Sequence, residues 1–197
     1  QDRSSAASDV YKRQDLDGVV YANLALAGIE HDTLALRHYI ADRPFTDHPP
    51  LGIWLEQLWF RLWGDGFLTE RLWGLMWLAG TISLMAWIWR ARQPDDPAWL
   101  PCAVFLALPG CLNVATNGYL ENPLTFFTTL AVALARRPGV GFAALAGLAA
   151  AAAISVKGLV GAFPLAAPAI FALATDSRRW VFAGSQSAIA TVVAVLA

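Results

Sequence analysis

Charge is scarce in this 197-residue chain: 15% of the residues are charged against 57% hydrophobic, and the mean hydropathy is +0.47. That balance excludes an ordinary water-facing domain. Neither sign of charge predominates. With a formal net charge of −1 there is no basic field to hold nucleic acid, which excludes that class of partner. Lysine is nearly missing, and beyond residue 14 Lys157 stands alone. Cysteine is limited to Cys102 and Cys111 in one apolar run. On a helix they would stand roughly 13 Å apart, too far for a disulfide, so they are expected to be buried packing residues. The three histidines lack HxxxH or HExxH spacing, and no glycine-rich phosphate loop, GxSxG elbow or CxxC pair occurs. Spacing alone therefore gives no metal site and leaves the histidines as surface residues.

What the chain does have is uncharged apolar runs, over residues 72–89, 98–120, 139–156, 158–175 and 180–197. Each reaches the length of about 18 that marks a transmembrane candidate. The runs predict about six helices near 71–90, 98–115, 119–135, 140–156, 158–175 and 180–197, an all-α polytopic membrane bundle. The short loops alternate in character. One set carries Arg90 and Arg92, Arg136 and Arg137, then Arg178 and Arg179; the other carries residues 113–121 and Lys157. The positive-inside rule makes the arginine loops cytoplasmic, and Trp87, Trp89, Trp99 and Trp180 flank that side as an aromatic belt.

Residues 15–70 hold most of the polar side chains and are expected outside the bilayer on the opposite, outer side. Within them LGIWLEQLWFRLW, residues 51–63, reads as an interfacial helix with a narrow polar stripe of Glu56, Gln57 and Arg61 among three tryptophans. Pro49 and Pro50 suit its first turn and Gly64 to Gly66 end it. Residues 1–14, QDRSSAASDVYKRQ, are polar and aperiodic and read as a non-native leader. The last residues, ATVVAVLA, stop inside an apolar run, so the chain is expected to be a fragment at both ends.

Two charges sit where membrane helices end. Lys157, in ISVKGLVGAFP, lies between two apolar runs, where a cation either faces a partner or snorkels to the interface. Glu121, in NGYLENPLTFF, opens a helix whose first turn holds Pro123; it is either a helix-start acid favoured by the macrodipole or an intramembrane site. Asp17, in DLDGVVYANLALAG, can be an N-cap.

Four stretches, in order, resemble the GT-C membrane glycosyltransferases of the dolichyl-phosphate-mannose protein mannosyltransferase type, which include the lipid A aminoarabinose transferases. DGVVYANLA is similar to the family's DE-x-x-YA segment, DHPPLGIWLEQLWFRLWG to its EKPPL segment, ENPLTFFTTLAVAL to its D-x-PL-x-FF helix start and SVKG to its LTKG. Gly18 stands where relatives carry Glu, and His48 where they carry Lys. The resemblance implies inverting transfer of a sugar from a polyprenyl-phosphate donor to an acceptor protein, lipid or glycan, at the outer face of a bacterial inner membrane. It implies Asp17 as the catalytic base, Lys157 and more weakly His48 as phosphate partners, Glu121 as an orienter of the acceptor or of Lys157, and Tyr21 in the substrate site. Arg37, Arg43, Arg61 and Arg71 are further outer-side cations. No cofactor is implied, a divalent metal is left open, and this chain alone is expected to be inactive. The rival from another class is a transporter or channel subunit with a Glu121/Lys157 intramembrane charge pair.

Overall fold

A computed structural model of the chain describes residues 16–35, 44–166, 170, 188, 189 and 191–195. Helices α1 (Leu16–Glu30) and α2 (Leu51–Trp63) precede α3 (Phe67–Arg90), two short helices α4 (Trp99–Leu106) and α5 (Cys111–Thr116), α6 (Glu121–Ala135) and α7 (Val140–Lys157). A 3-10 helix, Gly158–Ala166, continues from α7. The described residues form no sheet. Among the described residues, two segments are long and apolar enough to cross a membrane, Phe67–Arg90 and Val140–Ala166.

The ends of α2 follow from its punctuation. Pro50 stands before it, and Gly64 stops it at φ +78° while donating its N–H to the Phe60 carbonyl. Its amphipathic arrangement is the reverse of a polar face turned to water. Glu56 and Gln57 are buried, whereas Leu58, Leu62 and Trp63 are exposed. Gln57 Nε2 donates to the Thr33 carbonyl and Trp54 Nε1 to that of Leu34, which ties α2 to the chain leaving α1. The polar stripe is thus an inward seam, except for Arg61, which reaches Asp32 at 3.0 Å.

The run expected as one helix over 98–115 is broken. Pro109 cannot donate a backbone hydrogen bond and disfavours helical geometry at Leu108, and Gly110 turns the chain at φ +82°. The two pieces, α4 and α5, pack on α3. Gly74 lets α3 approach closely, since a Cβ there would run into the Ala115 carbonyl. Asn122 then closes the corner, its Nδ2 donating to the Val114 carbonyl at 2.8 Å and the Asn117 carbonyl at 3.0 Å. These bonds give a second partner to carbonyls that already accept from the Asn117 and Tyr119 N–H groups.

Side-chain contacts fix the helix directions. Gly74 abuts Asn122, Trp77 meets Phe126 and Phe127, and Trp87 meets Arg137, so α3 and α6 run parallel. Helix α7 returns antiparallel to α6, with Ala146 beside Ala135, Ala150 beside Ala131 and Lys157 beside Glu121. Ala143, Ala146, Ala150 and Ala153 are almost fully buried. Their small side chains permit the close approach on which helix pairs rely when lipid offers no hydrophobic advantage.

Other sequence expectations also move. The first long helix starts at Phe67, and the segment expected as a helix over 158–175 is 3-10 over Gly158–Ala166, with Pro164 inside it. Cys102 is buried, but Cys111 is only half-buried, since the break at Gly110 turns α5 to line a cavity. Most of the helix expected over 180–197 lies outside the described residues, as do residues 1–15, Arg37, Arg43, Arg178, Arg179 and Trp180.

Candidate active site

One end of the bundle gathers the starts of α1 and α6, the end of α7 and the loop before α2. Asp17 is the second residue of α1, exposed in the first turn rather than capping it. Tyr21 follows four residues later, on the same helix face and buried. Its phenol is pushed up to about 12, first by burial and then by the negative charges of Asp17, Glu121 and Asp47, with Tyr119 contributing last. A buried, neutral phenol therefore stands among three carboxylates.

Tyr21 also anchors the loop. Its ring meets that of His48 edge-on at 5.9 Å and that of Phe45 at 6.5 Å, and Phe45 and His48 lie 6.2 Å apart. Edge-to-face packing of this kind fixes ring orientation as well as covering area. His48 is held at the rim, half-buried.

Lys157 and Glu121 form an ion pair, Nζ to Oε1, with side chains 21% and 40% exposed. Each charge suits its helix end, because Glu121 opens α6 and Lys157 closes α7. Gly158 ends α7 at φ +67° and donates its N–H to the Ile154 carbonyl, which places the lysine at the last turn. The second oxygen of Glu121, Oε2, is buried without a hydrogen-bond partner among the described residues. Glu121 and Asn122 also line a cavity of about 310 Å³ that continues along Thr81, Phe105, Leu108 and Thr125.

Five residues singled out in the sequence, Asp17, Tyr21, His48, Glu121 and Lys157, thus belong to one region linked through Tyr21 and the Glu121–Lys157 pair. Arg61 pairs with Asp32 and Arg71 stacks over Phe67 at 4.2 Å, so these two cations have other engagements. Sequence reading missed Phe45, Asp47, Tyr119 and Asn122, and it missed that Glu56 and Glu70 flank Gly118. A Cβ on Gly118 would meet their Oε1 atoms at 3.0 and 3.5 Å. Only the motif DHPP hinted at Asp47, through its neighbour His48. Among the described residues no group of three or more His, Cys, Asp or Glu is placed to hold a metal ion.

No family model and no curated protein matches the chain. Solved structures do match, over 92% of its length. One is ArnT from Cupriavidus metallidurans in the apo state, with a TM-score of 0.73, 22% identity and 36% of that chain covered. The other is ArnT from the same organism bound to undecaprenyl phosphate, with a TM-score of 0.76, 21% identity and 35% of that chain covered. The fold matches that of a part of ArnT. The likeness is one of fold, all-α among the described residues with candidate membrane-spanning helices, and the chain spans about a third of the length of the ArnT structures it matches. Helices α1 to α7 are therefore one portion of an ArnT-like architecture.

Proposed function

We propose that the chain is the acceptor-and-phosphate end of a membrane glycosyltransferase that uses a polyprenyl-phosphate sugar. The observation that carries this is the assembly of an exposed carboxylate, Asp17, and a lysine–glutamate pair around a buried tyrosine at one end of an ArnT-like fold. ArnT itself has been seen with undecaprenyl phosphate, which supports a donor of that class.

In this reaction Asp17 takes the proton of the acceptor hydroxyl or comparable group as that atom attacks the anomeric carbon. The bond from that carbon to the phosphate oxygen breaks, and a single displacement inverts the configuration. Charge accumulates on the departing phosphate, where the Lys157 ammonium stabilises it and His48 adds charge only when protonated. Glu121 holds Lys157 at the end of α7. Tyr21 stays protonated, so it cannot act as the base, and its ring packs against that of His48.

The direction of the membrane follows from charge. The site end lies on the outer side and the arginine end, Arg90 to Arg92 and Arg136 to Arg137, on the cytoplasmic side, in a bacterial inner membrane. Helix α2 lies in the outer interface with Leu58, Leu62 and Trp63 turned to lipid, a position from which it guides a lipid-linked donor to the site. A transporter would explain the Glu121–Lys157 pair but not the exposed Asp17 beside the Tyr21 cluster.

The test is to express the full-length protein in membranes and offer it a panel of polyprenyl-phosphate sugars, with mass-spectrometric detection of released polyprenyl phosphate. Release from at least one donor that depends on acceptor is the expected result. Absence of release across pentose, hexose and amino-sugar donors in a folded protein would contradict the proposal.

A further inference from the structure

Backbone meets backbone beside Asp17. Gly18, the next residue of α1, is buried, and a Cβ there would lie 3.1 Å from the backbone nitrogen of Gly118, in the connector between α5 and α6. Gly118 is buried as well. A Cβ on it would lie 3.0 Å from Glu56 Oε1 of α2 and 3.5 Å from Glu70 Oε1 of α3, so the connector is packed against three helices and has little room to yield. On α1, Gly18 opens a seam of small residues that Ala22 and Ala25 continue on the same helix face, 1% and 0% exposed. Glycine is a poorer helix former than alanine, so local propensity does not account for Gly18 in that seam. The close approach does, because a side chain there would hold α1 and the connector apart. Asp17 immediately precedes Gly18, and Glu121 follows Gly118 at the start of α6.

We propose that the Gly18–Gly118 contact sets the position from which Asp17 takes the acceptor's proton, which makes the two glycines positioning residues of the sugar-transfer site. The inference rests on the sugar-transfer reading and adds to it a determinant away from the reacting atoms. A side chain in the first turn of a helix moves as that end frays. Here the turn that carries Asp17 is held against a connector that α2 and α3 hold in turn. A general base works only within hydrogen-bond reach of the proton it takes, and a misplacement of about 1 Å costs roughly 100-fold in rate. A methyl group on Gly18 would be too close to the Gly118 backbone, so α1 or the connector would have to shift. That shift acts on the carboxylate next door.

The test is sugar transfer by the full-length protein in membranes, with whichever undecaprenyl-phosphate pentose, hexose or amino sugar the wild type turns over. Gly18→Ala should lower kcat at least about tenfold while KM for that donor stays within a factor of about three. In an Asp17→Asn background the same substitution should cause no further loss of the residual turnover, because nothing is left to position. A purely structural role would lower both backgrounds alike. Gly141→Ala, whose methyl meets nothing within 4 Å, should leave kcat unchanged. Should Gly18→Ala fail to fold, Gly118→Ala must show the same loss of kcat, since its methyl meets the ends of two long side chains rather than backbone. Failure of both variants to fold would make the contact structural only and overturn the proposal. So would an unchanged kcat in folded Gly18→Ala, or an equal loss with and without the Asp17 carboxylate. Transfer that is lost in Asp17→Asn but kept in Gly18→Ala refutes the positioning role alone, whereas a wild type that uses none of the donors refutes the sugar-transfer reading and this inference with it.

Discussion

Lys157→Met would remove the cation that pairs with Glu121, and its cost is set by the exposure of the pair. Two unit charges about 4 Å apart interact by ~1 kcal/mol in water and ~4 kcal/mol at an effective dielectric constant of about 20. With 21% of the lysine side chain and 40% of the glutamate side chain exposed, the pair falls between a surface bridge and a fully buried one. Surface bridges are worth at most ~1 kcal/mol, and breaking a buried pair costs ~3–5 kcal/mol. A coupling of about 2 kcal/mol is the expected value, corresponding to roughly 30-fold in the folding equilibrium. The assay is a double-mutant cycle of Lys157→Met, Glu121→Gln and both together, by denaturant unfolding in mild detergent. The double variant should be about 2 kcal/mol more stable than the sum of the two single losses implies. High salt should change that figure little, because screening acts mainly on exposed pairs. A coupling below about 0.5 kcal/mol would refute the reasoning and make Lys157 a snorkelling residue with no structural partner.

Gly74→Ala should destabilise the fold by about 1–3 kcal/mol, read by unfolding in detergent, because the new methyl meets the Ala115 carbonyl and must push α3 from α5. Tyr21 predicts alkaline sensitivity. Its phenol is raised from 10.0 to about 12 in the folded chain, so the stability it contributes is complete below pH 10 and is lost as pH rises towards 12. Tyr21→Phe should flatten the stability curve across that window, and an unchanged slope would assign the sensitivity elsewhere. Cysteines at Asp47 and Arg137, with Cys102 and Cys111 replaced by alanine, should react with an impermeant maleimide from opposite sides of the membrane; reaction from one side would overturn the topology.

Local punctuation made part of the fold legible in the sequence. The prolines before Leu51 and the Gly64 turn delimit α2 at the residues that the pattern indicates. Glu56 and Gln57 show what pattern cannot say. Their spacing shows that they share a face, but which face is inside depends on whether the other one meets water or lipid. The break at Pro109 and Gly110 was visible as residues yet masked by an uninterrupted apolar run, because apolarity without period does not distinguish one helix from two. Asp17, Tyr21, Glu121 and Lys157 each announced themselves through local context. Their company did not. Phe45 and Asp47 join them because the loop before α2 packs on Tyr21, and Tyr119 because it leads into α6 beside Glu121, a packing order that no local pattern encodes.

The most direct measurement is sugar transfer by Asp17→Asn in the full-length protein, with expression and unfolding checked first. The amide keeps the size of the side chain but cannot accept a proton. Turnover should fall by at least about 100-fold, with binding of the polyprenyl-phosphate donor preserved within a factor of about three. Near-wild-type turnover in a folded Asp17→Asn protein would contradict the proposal, leaving Asp17 as an acid that merely favours the first turn of α1.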